Sequence, residues 1–352
     1  MGGPIIFNTS IDKPVREMSI IKTNMNENKP VEEHFSPPWY LKSPMVQTLL
    51  NSARFRNRGT GDFEKSSSEK IIDAGNGVRL QGFFSERKTG KAKGLVILLH
   101  GWEGSEKSAY MVSTGRFFYK HGFHVFRLNM RDHGSSHHLN TGLFLGTLID
   151  ELYAAVREIS SLFAKGLPAY LAGFSMGANF CIRVAKRASD DGYVGLKHVF
   201  AVNPPVDPFD STRRVDEVSF IRRYFLKKWK GSLAKKQSLF PDLYDFSSIL
   251  ALKKCIPMTE ILLRQYTSFS SLEEYFGEYT LKDGYLDSIT IPCTLLTSED
   301  DPLIPSADIA SIKKSPAVRF MLQKRGGHCG YIMNSKLDSW YLPHMLRAFS
   351  SP

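Results

Sequence analysis

The chain has 352 residues, 42% of them hydrophobic and 23% charged, with a formal charge of +11. This is the balance of a folded globular protein with room for one large α/β domain plus an insertion, or for two smaller domains. The longest aliphatic run, Leu95 to Leu99, is far too short to span a bilayer. The four scattered cysteines (Cys181, Cys255, Cys293 and Cys329) form no C-x-x-C pair, which favours reduced thiols and a cytoplasmic setting over a disulfide framework.

Residues 1–35 are polar and without periodicity and read as an irregular arm; they lack the basic stretch and apolar core of a secretory signal. Pro37 to Leu41 reads as a rigid turn leading into a short helix that ends near Leu50, and Ser66-Ser67-Ser68 as a loop. Ile71-Ile72 and Val78 to Phe84 make a hairpin around Ala74-Gly75-Asn76-Gly77. Buried strands follow at Leu95–Leu99 and His124–Leu128. Next comes a helix from Thr147 to Leu162 with Leu148, Leu152, Ala155, Ile159 and Leu162 on one face. Ala169–Ala172 is a strand, Met176–Ala188 a helix with Ala178, Cys181, Ile182 and Ala185 inward, and further strands lie at His198–Val202, Cys293–Thr297 and Val318–Leu322. Such alternation predicts an α/β fold: a mostly parallel, twisted sheet with helices on both faces.

The alternation stops between Pro204 and Ser288, giving a core of 36–204 and 289–352 interrupted by a helical, basic insertion at 205–288 that reads as a cap. Val218, Ile221, Phe225, Trp229 and Leu233 recur at helical spacing, with Arg223, Lys227 and Lys230 on the other side. From Arg213 to Lys236 nine cations face only Asp216 and Glu217. No nucleic-acid module accompanies them; the plain reading is a solvated helix face, and the alternative is peripheral contact with anionic membrane.

Gly173-Phe174-Ser175-Met176-Gly177 joins the strand at 169–172 to the helix at 176–188. A serine between glycines at such a turn is a nucleophile elbow: the turn admits only small flanking residues and lifts the hydroxyl at a helix N-terminus. A serine hydroxyl needs a base, and the base needs an orienting carboxylate. His328 lies in Gly326-Gly327-His328-Cys329-Gly330 after the last strand, and Asp300 and Asp301 follow the strand before it. In His100-Gly101-Trp102-Glu103-Gly104, at the end of an earlier strand, glycines let backbone approach a substrate. The Trp102 and Met176 amides are thus candidate donors to an oxyanion. His100 reads as a packing residue. His133, His137 and His138 near Asp132 read as part of an ion-paired loop, because no second cluster supplies metal ligands. No cofactor and no metal are expected.

At these residues the sequence resembles the α/β-hydrolase superfamily, and within it the YheT-like (ABHD-type) hydrolases. The pieces are Gln47-Thr48, HGWEG at 100–104, NMRDHGSSHHLN at 129–140, GFSMGANF at 173–180, NPPVDP at 203–208, SEDDPLIP at 298–305 and GGHCGY at 326–331. The resemblance implies a triad in the chain order Ser175, Asp301, His328, with Asp301 favoured over Asp300 because it stands four residues before Pro305. It also implies a carboxylic ester hydrolase acting on short- or medium-chain acyl esters or lipid esters. The alternative enzyme is an acyltransferase, although no H-x-x-x-x-D motif is present. The non-enzymatic alternative is a ligand-binding protein on the same scaffold.

Overall fold

The computed structural model describes residues 34–53, 56, 61–313 and 315–350, so of the arm expected at 1–35 only His34 and Phe35 lie among the described residues. Eight strands form one sheet: β1 (Ser67–Asp73), β2 (Arg79–Ser85), β3 (Leu95–Leu99), β4 (His124–Leu128), β5 (Ala169–Phe174), β6 (Leu196–Val202), β7 (Cys293–Ser298) and β8 (Val318–Gln323). Their spatial order is β1-β2-β4-β3-β5-β6-β7-β8. The pairs β1–β2 and β2–β4 are antiparallel, and every pairing from β4 to β8 is parallel.

Ahead of the sheet stand α1 (Pro44–Asn51) and α2 (Gly61–Lys65). Between strands lie α3 (Ala109–Lys120), α4 (Ile149–Ile159) and α5 (Met176–Asp190). The segment from β6 to β7 holds α6 (Pro208–Glu217), α7 (Ser219–Leu239), α8 (Ser247–Leu250), α9 (Cys255–Tyr266) and α10 (Leu272–Gly277), and α11 (Ser306–Ser311) and α12 (Tyr341–Ser350) follow.

The run Leu-Val-Ile-Leu-Leu of β3 is apolar at every position because both of its faces are covered. With the period of two of a strand, Leu95, Ile97 and Leu99 pack with Leu152 and Ala155 of α4 and with Ala178 and Ile182 of α5. Val96 and Leu98 turn the other way, onto Met111, Val112 and Phe118 of α3 and Tyr341, Met345 and Phe349 of α12. Each such side chain contributes roughly 1.5–3 kcal/mol relative to exposure, which is why no polar residue interrupts the strand. The chain ends of β5, β6, β7 and β8 therefore deliver their loops to one edge of a sheet closed on both sides.

Some expectations change. Ser67 and Ser68 belong to β1 and not to a loop: Ser67 pairs with Ser85, and their hydroxyls meet at 2.6 Å. Leu162 does not extend the buried stripe of α4. The chain widens into a π-turn at Ser160–Ala164, which turns Leu162 outward and sets Phe163 against Phe84 and Phe126. The basic stretch of α7 is not simply a solvated face. Lys236 is buried, and Lys230 donates to the Leu250 carbonyl at 2.6 Å; long stems let these ammonium groups reach carbonyls beneath the helix. No helix among the described residues is long and apolar enough to cross a membrane.

Candidate active site

Ser175 stands where β5 turns into α5, with φ 53° and ψ −123°. This left-handed conformation is unfavourable for a serine by order 1–3 kcal/mol and persists because its surroundings over-determine it. The Ser175 amide donates to Val202 of β6 at 2.9 Å. A Cβ on Gly173 would stand 2.3 Å from the Gly177 carbonyl oxygen, and one on Gly177 would stand 2.4 Å from that of His100. The two glycines thus let strand and helix meet at a distance no other residue allows.

The loop after β8 brings His328 over this turn. Its Nε2 lies 2.8 Å from Ser175 Oγ and its Nδ1 2.8 Å from Asp301 Oδ2. With the Nδ1 proton directed at the carboxylate, Nε2 is left to accept from the serine hydroxyl. Asp301 is held in turn: Oδ1 accepts from the amides of Leu303 and Ile304 at 2.8 and 3.2 Å, and Oδ2 also accepts from Asn203 Nδ2 at 2.6 Å. Asp300 points elsewhere and accepts the Gly327 amide at 2.9 Å; burial raises its pKa. The two neighbouring acids therefore hold different parts of one loop, Asp301 the imidazole and Asp300 the backbone before it.

Two contributors had no clear signal in the sequence. Asn203, fully buried at the end of β6 with φ 48°, bridges Asp301 and the Tyr331 hydroxyl, which donates to its Oδ1 at 3.0 Å. Thr48 of α1 accepts the His328 amide at 2.9 Å, 280 residues away in sequence, beside a buried Gln47 bonded to both polar backbone groups of Ile332. Only their presence in Gln47-Thr48 and NPPVDP marked them.

The loop after β3 closes a tight turn, Gly104 N–H to Gly101 O at 2.9 Å, while the Gly101 amide donates to the Tyr110 hydroxyl. The Trp102 and Met176 amides have no hydrogen-bond partner among the described residues. Met176 opens α5, so its N–H carries the positive end of the helix dipole. His100 lies beneath the loop. Its Nε2 accepts the Met130 amide at 3.1 Å and its Nδ1 donates to Gly101 O at 2.8 Å; burial, then neighbouring His133, keeps it neutral. His133 accepts the Glu103 amide at 3.1 Å through Nε2, and burial lowers its pKa to about 4. Asp132 is paired with Lys236 at 2.8 Å, and among the described residues no group of three or more His, Cys, Asp or Glu could hold a metal ion. Cys329 is buried with its thiol pKa raised by burial.

Two cavities open at Ser175. The larger, about 810 Å³, is walled by Leu49, Phe174, Phe220, Ile221, Tyr224 and Phe225, with Glu64, Glu103, Lys107 and Lys228 as the charged groups along it. Burial raises the pKa of Glu103 to about 8 against the opposing pull of Lys228. The smaller, about 50 Å³, lies beyond Trp102 and is lined by Pro205, Pro208, Val215 and Ile304. A third cavity of about 850 Å³ opens at the N-terminal ends of β6, β7 and β8 and contains none of these residues.

The sequence profile described as "Alpha/beta hydrolase family" matches residues 96–336. A Synechocystis sp. protein provisionally named an esterase, slr0264, is 24% identical over 339 residues, covering 85% of this chain and 88% of its own. Monoacylglycerol lipase ABHD2 of Bos taurus is 30% identical over 111 residues, covering 30% of this chain and 26% of its own. The Pyrococcus furiosus esterase Pf2001 superposes with a TM-score of 0.51 at 19% identity, covering 78% of this chain and 88% of its own, a likeness of fold.

Proposed function

The chain belongs to the alpha/beta hydrolase family, and on that premise we propose that it is a serine esterase cleaving carboxylic esters through Ser175, His328 and Asp301. The observation that carries the reading is the His328 ring bridging Ser175 Oγ and Asp301 Oδ2 at 2.8 Å on each side. In the reaction His328 Nε2 takes the hydroxyl proton as Oγ bonds to the ester carbonyl carbon. The carbonyl oxygen, now an oxyanion, accepts from the Trp102 and Met176 amides. The tetrahedral species collapses, the C–O bond to the alcohol breaks, and His328 gives the proton to the departing oxygen. Water repeats the sequence on the acyl-enzyme and releases the acid. Asp301 orients the imidazole and stabilises its charge when protonated.

The unequal cavities favour an ester with one small limb and one larger apolar limb, a short- or medium-chain acyl ester or a lipid ester. We assign residues 205–288 as a cap over a core of 36–204 and 289–352, since Phe220, Ile221, Tyr224 and Phe225 wall the larger cavity. Phe220, Arg223, Tyr224 and Lys227 share the exposed face of α7 and form our candidate contact with an anionic membrane. Liposome co-sedimentation should fall on charge reversal of Arg223 and Lys227; sedimentation that does not change removes the membrane contact and leaves the esterase.

The test of the activity is hydrolysis of p-nitrophenyl esters of graded chain length. Turnover that peaks at one chain length and vanishes in Ser175→Ala is the expected result. Equal turnover by Ser175→Ala would defeat the proposal.

A further inference from the structure

We propose that Lys228 is a positioning residue for the oxyanion loop, gripping from the insertion the same residue that His133 grips from the core. The inference rests on the esterase reading above and concerns what keeps the Trp102 amide aimed at the reacting carbonyl.

Gly101 to Gly104 forms a four-residue turn whose third residue, Glu103, has φ 55°. Positive φ at that place is normally supplied by glycine; a glutamate there needs outside support. Its two backbone groups are held from opposite sides. The Glu103 N–H donates to His133 Nε2 at 3.1 Å, and the Glu103 carbonyl accepts from Lys228 Nζ at 2.9 Å. His133 is itself fixed, its Nδ1–H donating to the Arg131 carbonyl at 2.7 Å, so Nε2 remains an acceptor. The peptide joining Trp102 to Glu103 is the one that flips between the common turn types, and the bond to His133 selects its orientation.

The residue just before is held by the same helix as Lys228. The Trp102 ring stacks on Phe225 at 5.2 Å and 16°, and meets Trp229 edge-on at 5.1 Å. Phe225, Lys228 and Trp229 are spaced by three and four residues along α7, so one helical face carries all three contacts. Lys228 Nζ also lies 4.9 Å from the centre of the Tyr224 ring and has no carboxylate within salt-bridge distance among the described residues. Its hydrogen-bond acceptor is the loop carbonyl of Glu103. The insertion thus forms part of the device that presents the Trp102 N–H. Withdrawing α7 would loosen that amide while leaving Ser175, His328 and Asp301 in contact.

The test compares Lys228→Met and Lys228→Arg with Lys230→Met, which removes an equivalent ammonium-to-carbonyl bond to Leu250 inside the insertion. Each is assayed for kcat and KM on p-nitrophenyl butyrate and for inhibition by butaneboronic acid, whose tetrahedral adduct uses the oxyanion donors. Lys228→Met is expected to lower kcat by about 10- to 100-fold with KM within about twofold, and to weaken boronate inhibition by a similar factor. Lys228→Arg should recover most of both, and Lys230→Met should change neither. Lys228→Met with kcat and boronate affinity within twofold of wild type, or Lys230→Met with an equal loss, overturns the inference while wild-type turnover keeps the esterase reading. A wild-type protein without ester turnover defeats the reading itself.

Discussion

Ser175 lies where two regions held by different forces meet. On the core side, position is set by backbone contact: Gly173 and Gly177 leave no space for a methyl group, and α5 buries Ala178, Cys181, Ile182 and Ala185 completely. On the insertion side, position is set by ammonium groups and aromatic rings. Lys236 donates to Asp132 and to the carbonyls of Asn140 and Gly142, Lys230 to that of Leu250 and Lys228 to that of Glu103, while Trp102 packs against Phe225 and Trp229. Close packing of backbone tolerates no added atom but is indifferent to charge. Ammonium groups fastened to carbonyls tolerate small changes of volume but not loss of the donor. The two regions should therefore fail under opposite kinds of substitution.

The largest effect is expected from one methyl group in the core. Gly177→Ala places Cβ 2.4 Å from the His100 carbonyl oxygen and 2.6 Å from that of Leu99, both backbone atoms that cannot step aside. Thermal denaturation should show a large fall in Tm or loss of the folded protein, and a normal Tm would break the packing account of the elbow. Next comes Lys236→Met, which leaves Asp132 buried without its cation; urea denaturation should report a loss of about 3–5 kcal/mol. A third, smaller effect is acid loosening at the junction. Burial lowers His133 to about 4 and His137 to about 3, each from 6.5, so between those values the unfolded chain binds more protons than the folded one. Stability from these groups is full above about pH 6.5 and is lost as pH falls toward 3. Urea midpoints measured across that range should decline, less steeply in His137→Gln; parallel profiles would remove His137 from the account. The smallest change is a gain. Gly231 sits inside α7, and a methyl group added there would meet nothing within 4 Å, so Gly231→Ala should stabilise by about 0.5–1 kcal/mol, the reverse of the same substitution at Gly177.

This difference also explains what was legible in the sequence. The sheet could be read because β3 and β5 are apolar runs between turn residues, and α5 because its small residues recur at helical spacing. Ser175 and His328 stood out by their positions at strand ends, Asp301 only through the resemblance that prefers it to Asp300, and His328 lies within hydrogen-bond distance of both Ser175 and Asp301. Asn203 and Thr48 were hidden because their partners lie 98 and 280 residues away and no periodicity records a bond between segments so distant in the chain. Lys228, Lys230 and Lys236 were misleading for a different reason. A helical pattern counts any lysine as outward, whereas its four-carbon stem can lie along apolar surface and deliver the charge to a buried carbonyl. Leu162 failed because one π-turn shifts the register by a residue, a geometric event that leaves no mark in composition.

A serine made nucleophilic by a neighbouring base reacts with electrophilic phosphorus as well as with an ester carbonyl, so Ser175 with His328 as its base should be open to covalent labelling. Peptide mass mapping after brief reaction with a fluorophosphonate tests this most directly. One adduct is expected, on the peptide carrying Ser175, absent in Ser175→Ala and formed at least about a thousandfold more slowly in His328→Ala. An adduct on another residue, or labelling of Ser175 at an unchanged rate without His328, would contradict that pairing of nucleophile and base.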